Sequence, residues 1–152
     1  MKKLEITAVD IAQRFLGMKE ISGNIANPQI TAMLQLEDKS IQSDEVPWCS
    51  AFVNYIAWLL GLPRSKSLSA RSWLTVGTPI TIDEAEVGFD VVIFRRGTGN
   101  QPGADVIDAP GHVGFYAGKE GNLIVVLGGN QGDAVSEAKF KAENLLGIRR
   151  LL

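Results

Sequence analysis

Over the first sixty residues the apolar positions recur at helical spacing, and beyond residue 78 they fall into short runs and alternations. Ala8, Val9, Ile11, Ala12, Phe15 and Leu16 predict a helix over residues 7–16, with Thr7 as N-cap and Gly17 as stop. Gly23, Asn24, Asn27 and Pro28 mark a turn, and Ile30, Met33, Leu34 and Leu36 predict a short helix over 29–36. After a polar, acidic stretch ending at Pro47, residues 49–60 carry a wide apolar face of Phe52, Val53, Ile56, Ala57, Leu59 and Leu60. This helix is expected at the centre of the core, ended by Gly61 and Pro63. Residues 64–78 are serine-rich but include Trp73 and Leu74, which predicts a packed connector with one helical turn.

Short strands are predicted at Phe89–Phe94, Val113–Ala117, Leu123–Leu127, Ala134–Phe140 and Ile148–Leu152, with a further one at Ile80–Ile82. Gly118–Asn122 reads as a hairpin turn, and Gly97–Gly111 as a long Gly/Pro/Asp loop. Helices first and strands after imply an α+β fold, with helices packed on a mostly antiparallel sheet. At 152 residues the chain is expected to form a single domain able to bury a core without disulfides or structural metal.

Composition narrows the partners. A net charge of −2 leaves no electrostatic footprint for nucleic acid or an anionic membrane surface. The longest apolar run, Ile56–Leu60, is far short of a membrane span. Lys2 and Lys3 are followed by Glu5, Asp10 and Arg14 rather than an apolar stretch, so no signal peptide is expected and synthesis is expected in the cytoplasm. A single cysteine rules out an intramolecular disulfide.

That cysteine falls in the first turn of the central helix, after Pro47 and Trp48. There the unpaired backbone N–H groups and the helix dipole favour thiolate and could receive an oxyanion. The one histidine, His112, opens the run Gly111-His112-Val113-Gly114-Phe115-Tyr116. Alternation puts His112, Gly114 and Tyr116 on one strand face, with Gly114 leaving room for a helix terminus or a substrate backbone. A thiol at a helix start and an imidazole on a following strand form an activated-nucleophile pair. Its third member, holding the ring tautomer, is expected in Gly128–Asp133: Asn130 first, Asp133 second.

Pro47–Val53, Gly111–Tyr116 and Gly128–Gln131 together resemble the CHAP and NlpC-type cell-wall hydrolases, most of all small phage and prophage endolysin-like members. The resemblance implies a papain-like fold and cleavage of amide bonds in the peptide part of peptidoglycan, by an endopeptidase or an N-acetylmuramoyl-L-alanine amidase. It implies Cys49 as nucleophile, His112 as base and Asn130 as third residue. The chain departs from the family at Gly128, where many CHAP members are acidic, in lacking a second histidine, and at Trp48, where a polar residue often precedes the cysteine. Trp48, Trp73 and Tyr116 are the candidates for substrate contacts. No cofactor is expected, and the acidic residues make no calcium pattern. The expected partner is a stem peptide or cross-bridge, the expected state a monomer without a separate wall-binding domain, and delivery to the wall falls to another component.

Two other hydrolytic chemistries are weaker. Zinc chemistry lacks HExxH, a CxxC pair and a second histidine. A glycosidase would draw on Glu20, Asp44 and Glu45. A non-enzymatic phage or wall-binding protein with an idle papain-like site is the alternative of a different kind.

Overall fold

The computed structural model describes residues 4–23 and 26–152, so Asn24 of the expected turn lies outside the described residues. The first helix, α1 (Ala8–Ala12), starts at a reciprocal cap between Thr7 and Asp10, in the first turn. It is shorter than the expected 7–16, because residues 13–15 tighten into a 3₁₀ turn before Gly17 at φ +91°. Helix α2 (Pro28–Gln35) begins with Pro28 at its first position and Asn27 as cap. Helix α3 (Cys49–Leu60) has the expected bounds and ends on Gly61 in the left-handed conformation.

Six strands follow: β1 (Thr78–Ile80), β2 (Asp90–Arg95), β3 (Gly111–Glu120), β4 (Leu123–Gly128), β5 (Ser136–Lys141) and β6 (Leu145–Arg150). All pair antiparallel in the order β1-β6-β2-β3-β4-β5. The expected strand at 148–152 starts three residues earlier, since Leu145–Ile148 find partners on β2. The hairpin between β3 and β4 turns at Gly121 and Asn122.

Each sheet face has its own core. The helices cover one face, where Phe52, Val53 and Ile56 of α3 are buried with Val91, Ile93, Val113, Phe115 and Leu127. On the other face Val92, Phe94, Tyr116, Ile124, Val126 and Ile148 pack with Phe140 and Leu145. Burying each such side chain contributes roughly 1.5–3 kcal/mol before entropy is set against it, which makes α3 the main anchor of the helical layer. A polar network also ties the 64–75 connector to α3. Ser50 donates to the Ser67 carbonyl at 2.6 Å, Trp73 donates to Ser50 at 2.9 Å, and the Asn54 amide donates to both Ser65 and Ser67. No helix among the described residues is long and apolar enough to cross a membrane.

Candidate active site

Cys49 is the first residue of α3, and Trp48, in its cap position, offers no side-chain hydrogen bond to the helix start. The N–H groups of the first turn are thus left for other acceptors. Trp48 itself is fully buried, its indole N–H donating to Glu20 Oε1 at 2.8 Å. The Glu20 backbone N–H in turn donates to the Asp133 carbonyl at 2.9 Å. Glu20 therefore joins the start of α3 to the turn that follows β4. Asp44, the second carboxylate considered for glycoside chemistry, is buried and accepts the Asn27 and Ile21 N–H groups. The Asn27 N–H holds its carboxyl below the ordinary range, whereas a general acid needs the reverse.

His112 is 5% exposed near the start of β3. Its ring stacks on Phe140 at 4.9 Å, which puts it on the Tyr116 face, as the alternation predicts. Cys49 belongs to the core on the opposite face, with Val113. The link between them is the Val113 N–H, next in the chain to His112, which favours the thiolate form of Cys49. Among the described residues no hydrogen bond joins the thiol directly to the ring, and such contacts often close only when substrate is bound.

The group bonded to His112 is Gln131, not Asn130: the imidazole Nε2 lies 2.9 Å from Gln131 Oε1. The Gln131 amide cannot be turned round, because its Nε2 donates to the carbonyls of Val126 at 3.1 Å and Ser136 at 2.7 Å. Its oxygen must face the ring, so the neutral ring carries its proton on Nε2 and keeps the Nδ1 lone pair as the free base. Asn130 instead takes φ +57° and Asp133 φ +59°, the left-handed corners of a tight turn. Those corners aim Gln131 inward. The sequence of 128–133 also suits a glycine-rich turn whose Asn130 tolerates positive φ, and the amide acceptor one residue on, Gln131, was the signal available for the partner of His112.

Burial pushes the Cys49 thiol above its ordinary value of 9.0, outweighing the Val113 N–H, Arg96 and the N–H groups of Ser50 and Cys49, all of which favour thiolate. The helix-start argument thus has the right sign but is overridden by desolvation. Burial also holds the His112 pKa below 6.5, opposed by the Gln131 hydrogen bond and assisted by Arg96. At neutral pH the resting pair is thiol and neutral imidazole.

Two hollows flank the pair. One, of about 410 Å³, is bounded by Pro47, Cys49, Ser69, Arg96, Asp108 and Gly111, and the other, of about 380 Å³, by Arg95, Arg96, His112, Asn130 and Gln131. The wall of the first is fastened by Arg71, fully buried, which donates from Nε to Pro110 and from Nη1 to the carbonyls of Pro102, Gly103 and Val106. None of the three aromatic candidates for substrate contact lines either hollow. Trp48 and Trp73 are fully buried, each committed to an internal hydrogen bond, and Tyr116 is buried on the His112 face with Val92, Ile124 and Val126. The space beside Gly114 is likewise filled from within the sheet, since a Cβ there would meet Val126 and the Leu127 carbonyl, 3.2 Å away.

Helices packed on a six-stranded antiparallel sheet, with a cysteine opening the central helix and a histidine on β3, define a papain-like α+β fold. Among solved structures the chain is similar to NlpC1 from Trichomonas vaginalis, with 18% identity and a TM-score of 0.57. The match takes in 99% of this chain and 46% of that one, so the chain spans about half the neighbour's length. No family model matches the chain, and no curated protein matches it in sequence.

Proposed function

We propose that the chain is a cysteine amide hydrolase acting on the peptide part of peptidoglycan. The observation that carries this reading is the locked Gln131 amide, which leaves His112 Nδ1 as the free base, while Cys49 and His112 border hollows that share Arg96. In the reaction the Cys49 proton passes to Nδ1 as sulfur bonds the carbonyl carbon and the carbonyl electron pair moves onto oxygen. N–H groups of the first turn of α3 face that oxygen. As the carbonyl re-forms, the C–N bond breaks and the Nδ1 proton goes to the departing nitrogen, leaving a thioester and a free amine. Water then attacks the thioester, giving a proton to Nδ1 that returns to sulfur as the acid leaves. The NlpC-type neighbour and the Cys and His motifs support the choice of peptidoglycan. An endolysin-like phage or prophage role, as endopeptidase or amidase, is the finer form of the proposal.

One observation favours a second reading, a wall-binding or particle protein with an idle site: the thiol is 3% exposed and its core neighbours lie across β3 from the His112 ring. Purified peptidoglycan separates the two. The hydrolase releases new amino groups, and Cys49→Ala or His112→Ala each lowers the rate by about 1,000-fold or more. Release that persists in both variants removes the dyad. In the idle reading wild type releases nothing, and iodoacetamide modifies Cys49 only after unfolding.

A further inference from the structure

Arg96 bounds both hollows and is exposed, and among the described residues it forms no ion pair. It lies close enough to the reacting pair for its charge to act on Cys49 and His112 alike. The hollows differ in charge. The one bounded by Cys49 contains Asp108 as well as Arg96, whereas the one bounded by His112 contains Arg95 and Arg96 and no carboxylate. Arg95 is partly engaged, donating to the Glu143 carbonyl at 2.9 Å, so Arg96 is the cation left to bind an anion. Which half of a substrate lies there follows from the chemistry. Because His112 hands its proton to the departing nitrogen, the amine half of the amide must lie on the His112 side of the sulfur.

Resting on the hydrolase reading above, we propose that Arg96 is a specificity residue that binds a free carboxylate on the amine half of the scissile amide. The guanidinium can meet a carboxylate with two parallel N–H donors at the mouth of the His112 hollow. The preferred amide is then one whose leaving amine belongs to an amino acid with an uncapped carboxylate, either the terminal one or one on its side chain. An amidated leaving residue keeps the same shape but loses the ion pair. Asp108, in the hollow bounded by Cys49, disfavours a second carboxylate on the acyl half.

Three small probes keep one shape and move the charge. N-acetylglutamine has a terminal carboxylate only, N-acetylisoglutamine a side-chain carboxylate only, and N-acetylglutaminamide neither. Each is titrated by NMR into the 152-residue Cys49→Ala chain, so that no turnover interferes. One of the two carboxylate probes should bind about 10-fold or more tightly than the amide, and which of them does so identifies the carboxylate. Arg96→Gln should bring the ratio to about one, and Arg96→Lys should keep part of it, since a lysine supplies charge without the fork. Equal binding of the three, no binding of any, or a ratio unchanged in Arg96→Gln overturns the assignment. Melting curves of the variants verify folding, which an exposed side chain does not support. Amino-group release from peptidoglycan by the wild-type protein is measured separately, so an inactive protein and an undiscriminating cleft are distinguishable outcomes.

Discussion

A single amide decides the electronic state of the candidate base. Gln131 has three hydrogen-bonding partners around it, two carbonyls and one imidazole nitrogen, and only one orientation satisfies them all. Gln131→Ala leaves the ring free to take the other tautomer and strands two strand carbonyls. Turnover should fall by about 10- to 100-fold, with the larger effect on kcat rather than KM. Asn130→Gly keeps the left-handed corner and should cost at least several-fold less than Gln131→Ala. Equal losses in the two variants would return the orienting role to Asn130. The placement of Cys49 at a helix start and of His112 on a strand was legible in the sequence because both depend on local pattern. The amide bonded to His112 was not, because which of two adjacent amides points inward depends on backbone corners at 130 and 133 that only the folded turn defines. The three aromatic side chains were misplaced for a related reason: large apolar rings are drawn into the core unless the backbone holds them out.

At the level of elements, the close approach that matters lies between the end of β4 and the start of α3. Gly129 sits there, and a Cβ on it would come within 2.7 Å of the Trp48 ring and 2.8 Å of Phe52 Cβ. The sequence drew attention to Gly114, whose lack of a side chain admits only the neighbouring strand, while Gly129 is what lets the helix settle beside His112's turn. Gly129→Ala should destabilise the protein by about 1–3 kcal/mol, because both neighbours are core groups with little room to yield. Denaturant unfolding measures this, and an unchanged midpoint would mean that α3 can shift without loss. The helix bounds of α3 were readable to the residue, since a proline before it and a glycine after it punctuate a wide apolar face. The strand ends were less so, because pairing with β2 rather than local hydrophobicity decides where β6 begins.

For the molecule as a whole, acid stability follows from the buried imidazole. The folded pKa of His112 lies below 6.5, so the unfolded chain takes up that proton first as pH falls. Stability from this source is intact above pH 6.5 and is lost as pH drops through the folded-state value. Asp44 acts further down: its folded pKa lies below 3.8, and its contribution is lost as the pH falls through that lower value. Melting temperature should therefore decline from about pH 7 to about pH 5, and His112→Gln should flatten that decline. A variant that declines as steeply as the wild type would assign the acid sensitivity to another group.

The strand order has a bearing on how the chain is made. β6 lies between β1 and β2, and it is the neighbour that β1 pairs with. During synthesis β2, β3, β4 and β5 can zip together in the order they emerge. β1, although made before all of them, has no ladder to join until residues 145–150 have left the ribosome. The register that ends in the Arg150–Asp90 ion pair closes the sheet last. The nascent polypeptide thus carries a waiting segment while residues 81–144 are made, and the complete sheet around the Cys49–His112 pair is a late product of translation.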